Sequence, residues 1–142
     1  MDVLDLPPTT DSVPAARRFT RAALRGSHCD VDTAVLLVSE LVTNAVLHAR
    51  SSIVLSVEDR DASARVEVRD RSPLSPRLHR FAIESATGRG LRMLEQLSRG
   101  WGVEVQTAGA GKVVWFEVGM AAETSWDSFA DDLMVGGVPG DL

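Results

Sequence analysis

Apolar residues recur at steps of three and four through residues 31–50, VDTAVLLVSELVTNAVLHAR. Val35, Val38, Leu41, Val42, Ala45 and Val46 form the stripe, which predicts an amphipathic helix with its core at 35–49. Asp30 and Asp32 stand at its start, as an N-cap and a first-turn anion would. A polar line runs along the same helix. Glu40, Asn44 and His48 are spaced i, i+4, i+8. A carboxylate and an amide one turn apart, on an otherwise apolar helix, can point into one cavity. The carboxylate can take a proton from a nucleophile, and the amide oxygen can ligate a hard cation such as magnesium. A solvated strip is the plainer alternative.

The pattern elsewhere predicts smaller elements. Residues 1–6 read as a short edge strand ended by Pro7 and Pro8. Asp11 or Ser12 can cap a helix that tolerates Pro14 in its first turn and runs to about Arg25, with Gly26 as its C-cap. That helix is expected to bury Val13, Ala16, Phe19, Ala23 and Leu24, leaving Arg17, Arg18 and Arg21 solvated. Residues 52–58 alternate Ile53, Leu55 and Val57, and residues 65–69 alternate Val66 and Val68 against charge. The polar stretch 59–63 between them predicts a hairpin. Asp70 ends the second strand, a favoured place for a ligand-facing carboxylate, although a capped turn would also explain it. Residues 71–86 follow as a long irregular stretch with weak helical potential around 79–84; such loops are commonly functional. Gly88-Arg89-Gly90 opens a helix over 91–99 with Leu91, Leu94 and Leu97 on one face. Glycines at a helix N-terminus let backbone N–H groups approach an anion, and the arginine between them suits a phosphate. A second hairpin is predicted from 101–107 and 112–118, closed by 108–111.

Composition narrows the class. The 142 residues suffice for one domain, and 44% apolar with 25% charged residues is ordinary for a globular protein. The apolar runs look too short for a membrane span, and the first ten residues lack the basic and apolar regions of a signal peptide. Cys29 is the single cysteine, so no internal disulfide can form, and a cytoplasmic location fits best. All 15 basic residues and 15 of the 20 acidic ones fall within residues 1–120. The net charge of −5 therefore lies in the last 22 residues, and no basic surface for direct contact with nucleic acid is expected.

Four segments now stand in a recognisable order: SELVTNAVLHA at 39–49, VEVRDRSPLSP at 66–76, GRGLRML at 88–94 and WGVEVQTAGAGKVVWFEV at 101–118. This order resembles the GHKL ATPases, which share the Bergerat ATP-binding fold with histidine kinases, gyrase and Hsp90. Within that group the chain is similar to the small anti-sigma-factor kinase branch. The resemblance implies an α+β two-layer sandwich, a mixed, mostly antiparallel sheet covered on one face by about three helices, over residues 1–120. It implies ATP and Mg2+ as cofactors. By the same resemblance Glu40 would be the general base, Asn44 the magnesium ligand and Asp70 the acceptor for the adenine amino group. Gly88, Arg89, Gly90 and Leu91 would line the phosphates, with His48 near them. Departures from the family pattern are Ser72 and Leu74, where glycines are usual, and Val113, where a threonine is common. A stiffer loop and a missing hydroxyl at the adenine site are the consequences to expect.

Two functions follow from the resemblance. One is a serine/threonine kinase that phosphorylates an anti-anti-sigma-type protein, holds a sigma factor, or both. The other is a non-catalytic, ATP-dependent switch module that binds a protein partner. A histidine-kinase catalytic domain cut from a longer chain is less favoured. Homodimerisation stays open. In the acidic tail 121–142, Trp126, Phe129, Leu133 and Met134 share one helical face over 125–134. That face either packs on its own domain or docks in a partner's groove.

Overall fold

The computed structural model describes residues 1–71, 88–106 and 111–121, and the backbone alone for 88–91. Among these residues five strands form one sheet: β1 (Asp2–Leu6), β2 (Ile53–Asp59), β3 (Ala64–Asp70), β4 (Gly100–Val105) and β5 (Lys112–Val118). Their order is β1-β2-β3-β5-β4. All four pairings are antiparallel, where a mostly antiparallel sheet was expected. Among the described residues three α-helices accompany it: α1 (Ser12–Ala23), α2 (Val31–Asn44) and α3 (Gly88–Leu97). The chain is thus the expected α+β sandwich.

Period-two alternation decides which sheet face is covered. Leu55, Val68 and Val114 pair in one row, and Val57, Val66 and Phe116 in the next. All six are buried. Against them lie Leu37, Val38 and Val42 of α2 with Met93 and Leu94 of α3, in one continuous core. The opposite face carries Ser56, Glu67 and Trp115, all half-buried. There the Arg65 guanidinium stacks 4.2 Å from the Trp115 ring centroid. The indole also lies over Gly102, where an added Cβ would stand 2.6 Å from Trp115 Nε1. A glycine in β4 leaves room for that ring.

Helix α2 is central because it packs on α1, α3, β3 and β5. Asp30 caps it as expected: its side chain accepts from Thr33 N at 3.2 Å, and the Thr33 hydroxyl donates to it at 2.7 Å. Such a cap is worth about 1 kcal/mol. Against the expectation from its apolar runs, the helical span 31–49 is long and apolar enough to cross a membrane by length and composition alone, with mean hydropathy 1.3. That apolar surface belongs to the core, since Val35, Leu37, Val38, Leu41 and Val42 are all buried. The end of the helix departs from the expected period. Ala45–Ala49 is a π-helical turn, and Arg50 follows in the left-handed region at φ 54.

Helix α1 buries Ala16, and Leu24 at its C-cap is buried too, as the spacing predicted, but so are the polar Ser12 and Thr20. Both hydroxyls find backbone carbonyls, Ser12 that of Pro7 and Thr20 that of Ala16. Val13, Phe19 and Ala23 are only partly buried. Gly26 holds φ 82, the left-handed conformation expected after a helix end. The third helix begins at Gly88 rather than at residue 91, so Gly88 and Gly90 belong to its first turn. The stretch 72–87, with Ser72, Leu74 and the weak helix around 79–84, lies outside the described residues, as do 107–110 and the tail 122–142.

Candidate functional site

Connectivity brings two of the candidate segments to one end of the sandwich. Asn44 closes α2, the π turn follows, and residues 50–52 lead directly into Ile53. Ile53 pairs with Asp70, and Asp70 with Lys112. The Ser51 hydroxyl accepts from Arg71 N at 2.9 Å, tying the end of the π turn to the end of β3. At the far end, Asp30 N donates to Gly119 O, so α2 spans the sheet from one rim to the other. The C-terminal half of α2 therefore sits at the rim where β3 ends and β5 begins.

Glu40 and Asn44 are half-buried there, one turn apart on a helix whose other residues are mostly buried. The amide oxygen of Asn44 is itself shielded from solvent. The polar line does not continue evenly to His48. The π turn is wider than an α turn, so its residues leave the α-helical register. His48 and Leu47 are exposed there, while Ala45 and Ala49 point inward. The backbone of Gly88, Arg89, Gly90 and Leu91 forms the start of α3, which packs against α2. Their side chains lie outside the described residues.

Asp70 is more buried than Glu40, Asn44 or His48, at 2% exposure. It sits in the helix-facing row Leu6–Ile53–Asp70–Lys112–Val105. Lys112 Nζ donates to Asp70 Oδ2, and Lys112 is itself only 8% exposed. A charge so far from water needs such a partner; removing one member of a buried pair costs about 3–5 kcal/mol. Gly111 makes the pair feasible. It holds φ 109, and an added Cβ would stand 2.0 Å from the Asp70 carbonyl oxygen. Only a residue without a side chain lets the two backbones approach so closely.

Lys112 was not among the residues the sequence singled out. A signal was present: if 64–70 and 112–118 pair antiparallel, the last residue of one faces the first of the other. The same register corrects the expectation for Val113. Its partners are Arg69 and Glu104, on the sheet face turned away from the helices. A hydroxyl there would not reach the Asp70 side, so its absence removes nothing from the site. Lys112 is the residue of that segment that stands beside Asp70.

The donor set suits magnesium as nucleotide-binding proteins hold it. Among the described residues no three His, Cys, Asp or Glu side chains converge into a cage. Magnesium commonly takes one or two protein oxygens and completes its shell with phosphates and water. One amide oxygen beside one carboxylate meets that need. The buried carboxylate of Asp70 is an acceptor of the kind an amino group requires.

No curated protein matches the chain at a significant level. The family model of the histidine kinase-like ATPase domain, however, matches residues 6–118, from the last residue of β1 to the last of β5. With its sheet order, its helix layer and that match, the chain belongs to the histidine kinase-like ATPase domain family, the GHKL type of ATP-binding fold.

Proposed function

We propose that this domain binds Mg2+-ATP and acts as a regulatory serine/threonine kinase on a protein partner of the anti-anti-sigma type, with or without holding a sigma factor. The observation that carries this reading is Glu40 and Asn44, half-buried and one turn apart, at the rim where Asp70 ends β3. Family membership supports ATP binding; a carboxylate one turn from that amide favours chemistry over binding alone.

The residues take separate roles. Asp70 accepts from the adenine amino group. Asn44 offers its amide oxygen to magnesium, which neutralises charge on the triphosphate when bound. The N-terminal turn of α3 presents backbone N–H groups, and helix dipoles favour anions there. Glu40 accepts the proton of the acceptor hydroxyl as its oxygen attacks the γ-phosphorus. The bond from that phosphorus to the β–γ bridging oxygen breaks, and ADP leaves. Little covalent chemistry falls to the protein; positioning and electrostatics carry the rate.

Labelled ATP, magnesium and candidate partner proteins test the reading by phosphotransfer. Wild type is expected to label a serine or threonine of its partner. Glu40→Ala is expected to lower labelling by about 100-fold or more while leaving ATP affinity nearly unchanged, because a general base acts in the transition state. Asn44→Ala is expected to reduce both. Equal labelling by wild type and Glu40→Ala would rule out this base. Binding of ATP and partner without any labelling would favour the switch module, a second reading prompted by Ser72 and Leu74 in place of the usual glycines.

A further inference from the structure

Lys112 is the feature that the roles above leave unused. It is a buried ammonium in the one polar step of an otherwise apolar row. An ion pair kept for stability alone is a poor choice at such a place, since apolar residues of similar volume commonly serve as well or better. The ammonium carries three hydrogens, and among the described residues it donates to Asp70 Oδ2. At 8% exposure there is little water for the others. A donor and an acceptor thus stand side by side, fixed by the register of β3 and β5 and by the close approach of Gly111 to Asp70.

Adenine presents the complement of that pair. Its exocyclic amino group is a donor, flanked on either side by the ring nitrogens N1 and N7, both acceptors. We propose that Lys112 is a specificity-determining residue that donates to a ring nitrogen of the bound adenine while Asp70 accepts from the amino group. The base is then read at two adjacent points. This rests on the reading that Asp70 faces the base. Lys112 also holds the Asp70 carboxylate in one orientation, so the two contacts depend on each other. No bond is made or broken in this step.

Ligand analogues test it on the intact chain. Calorimetric titrations with magnesium would compare ATP, 1-deaza-ATP and 7-deaza-ATP, in which one ring nitrogen is replaced by C–H. In wild type, one of the two analogues is expected to bind about 10- to 100-fold more weakly than ATP, the loss of one hydrogen bond from a charged donor. The other should bind within a few-fold of ATP. In Lys112→Met that difference should vanish, because the donor is gone whichever ligand is added. The wild-type series needs no variant, so it stands even where Lys112→Met does not fold. Wild type binding both analogues as tightly as ATP would overturn the proposal, and so would an undiminished penalty in Lys112→Met. Absence of ATP binding by wild type would instead overturn the nucleotide reading beneath it.

Discussion

Residue by residue, candidate polar groups were easier to read from the sequence than their partners. Glu40, Asn44 and Asp70 stood out as candidates because each is a polar group in an apolar setting or at a strand end. The Asp70–Lys112 pair was not, because it depends on two strands that lie 42 positions apart in sequence meeting in one register. Gly111 was legible only as a turn glycine; that its backbone presses on the Asp70 carbonyl is a tertiary fact. It gives a direct prediction. Gly111→Ala would force a Cβ into that carbonyl at a positive φ. Strain of about 1–3 kcal/mol is expected from the backbone conformation, with overpacking of similar size. A chemical-denaturation midpoint reads it: a fall corresponding to about 2–4 kcal/mol is expected, with weakened ATP binding as Lys112 is displaced. A variant as stable as wild type would contradict the close approach.

Among the elements, the hairpins and the first two helices follow from period alone, since alternation and i, i+3, i+4 spacing each leave one apolar face to bury. The π turn does not. Nothing in AVLHA marks a wider turn, and the exposure of Leu47 and His48 follows from it. A clasp at the other rim joins two connections. His28 N and the Ser27 hydroxyl both donate to Asp61 O, and the His28 ring pairs with the Asp61 carboxylate at 2.9 Å. The hydrogen bond to Asp61, and then its charge, raise the His28 pKa above the ordinary 6.5; desolvation opposes this and Asp59 adds to it. The folded state therefore binds the His28 proton more tightly than the unfolded chain. Its contribution is full below pH 6.5 and is lost as pH rises through the higher folded value. Asp61 holds φ 67, which asparagine also tolerates. Asp61→Asn keeps the turn and removes the charge. The stability difference between wild type and Asp61→Asn is expected to shrink as pH rises from 6.5 through the higher folded value of His28, as followed by denaturation midpoints. A difference that is constant with pH would contradict the clasp. It should be small, because both side chains are exposed and solvent screens them.

At the scale of the whole molecule, the fold class was legible because four motifs kept their order and spacing. The all-antiparallel pairing of the described sheet and the reach of α2 from rim to rim needed coordinates. The central claim is that the rim formed by the end of α2, the end of β3 and the start of β5 binds an adenine nucleotide. Isothermal titration of the intact chain with ATP and ADP in magnesium tests it most directly, with Asp70→Asn as the paired variant. Saturable binding by wild type at millimolar nucleotide or below is predicted, with Asp70→Asn weaker by about 10-fold or more through loss of a charged acceptor. No heat of binding from wild type at millimolar ATP or ADP, or equal affinities for wild type and Asp70→Asn, would contradict the account.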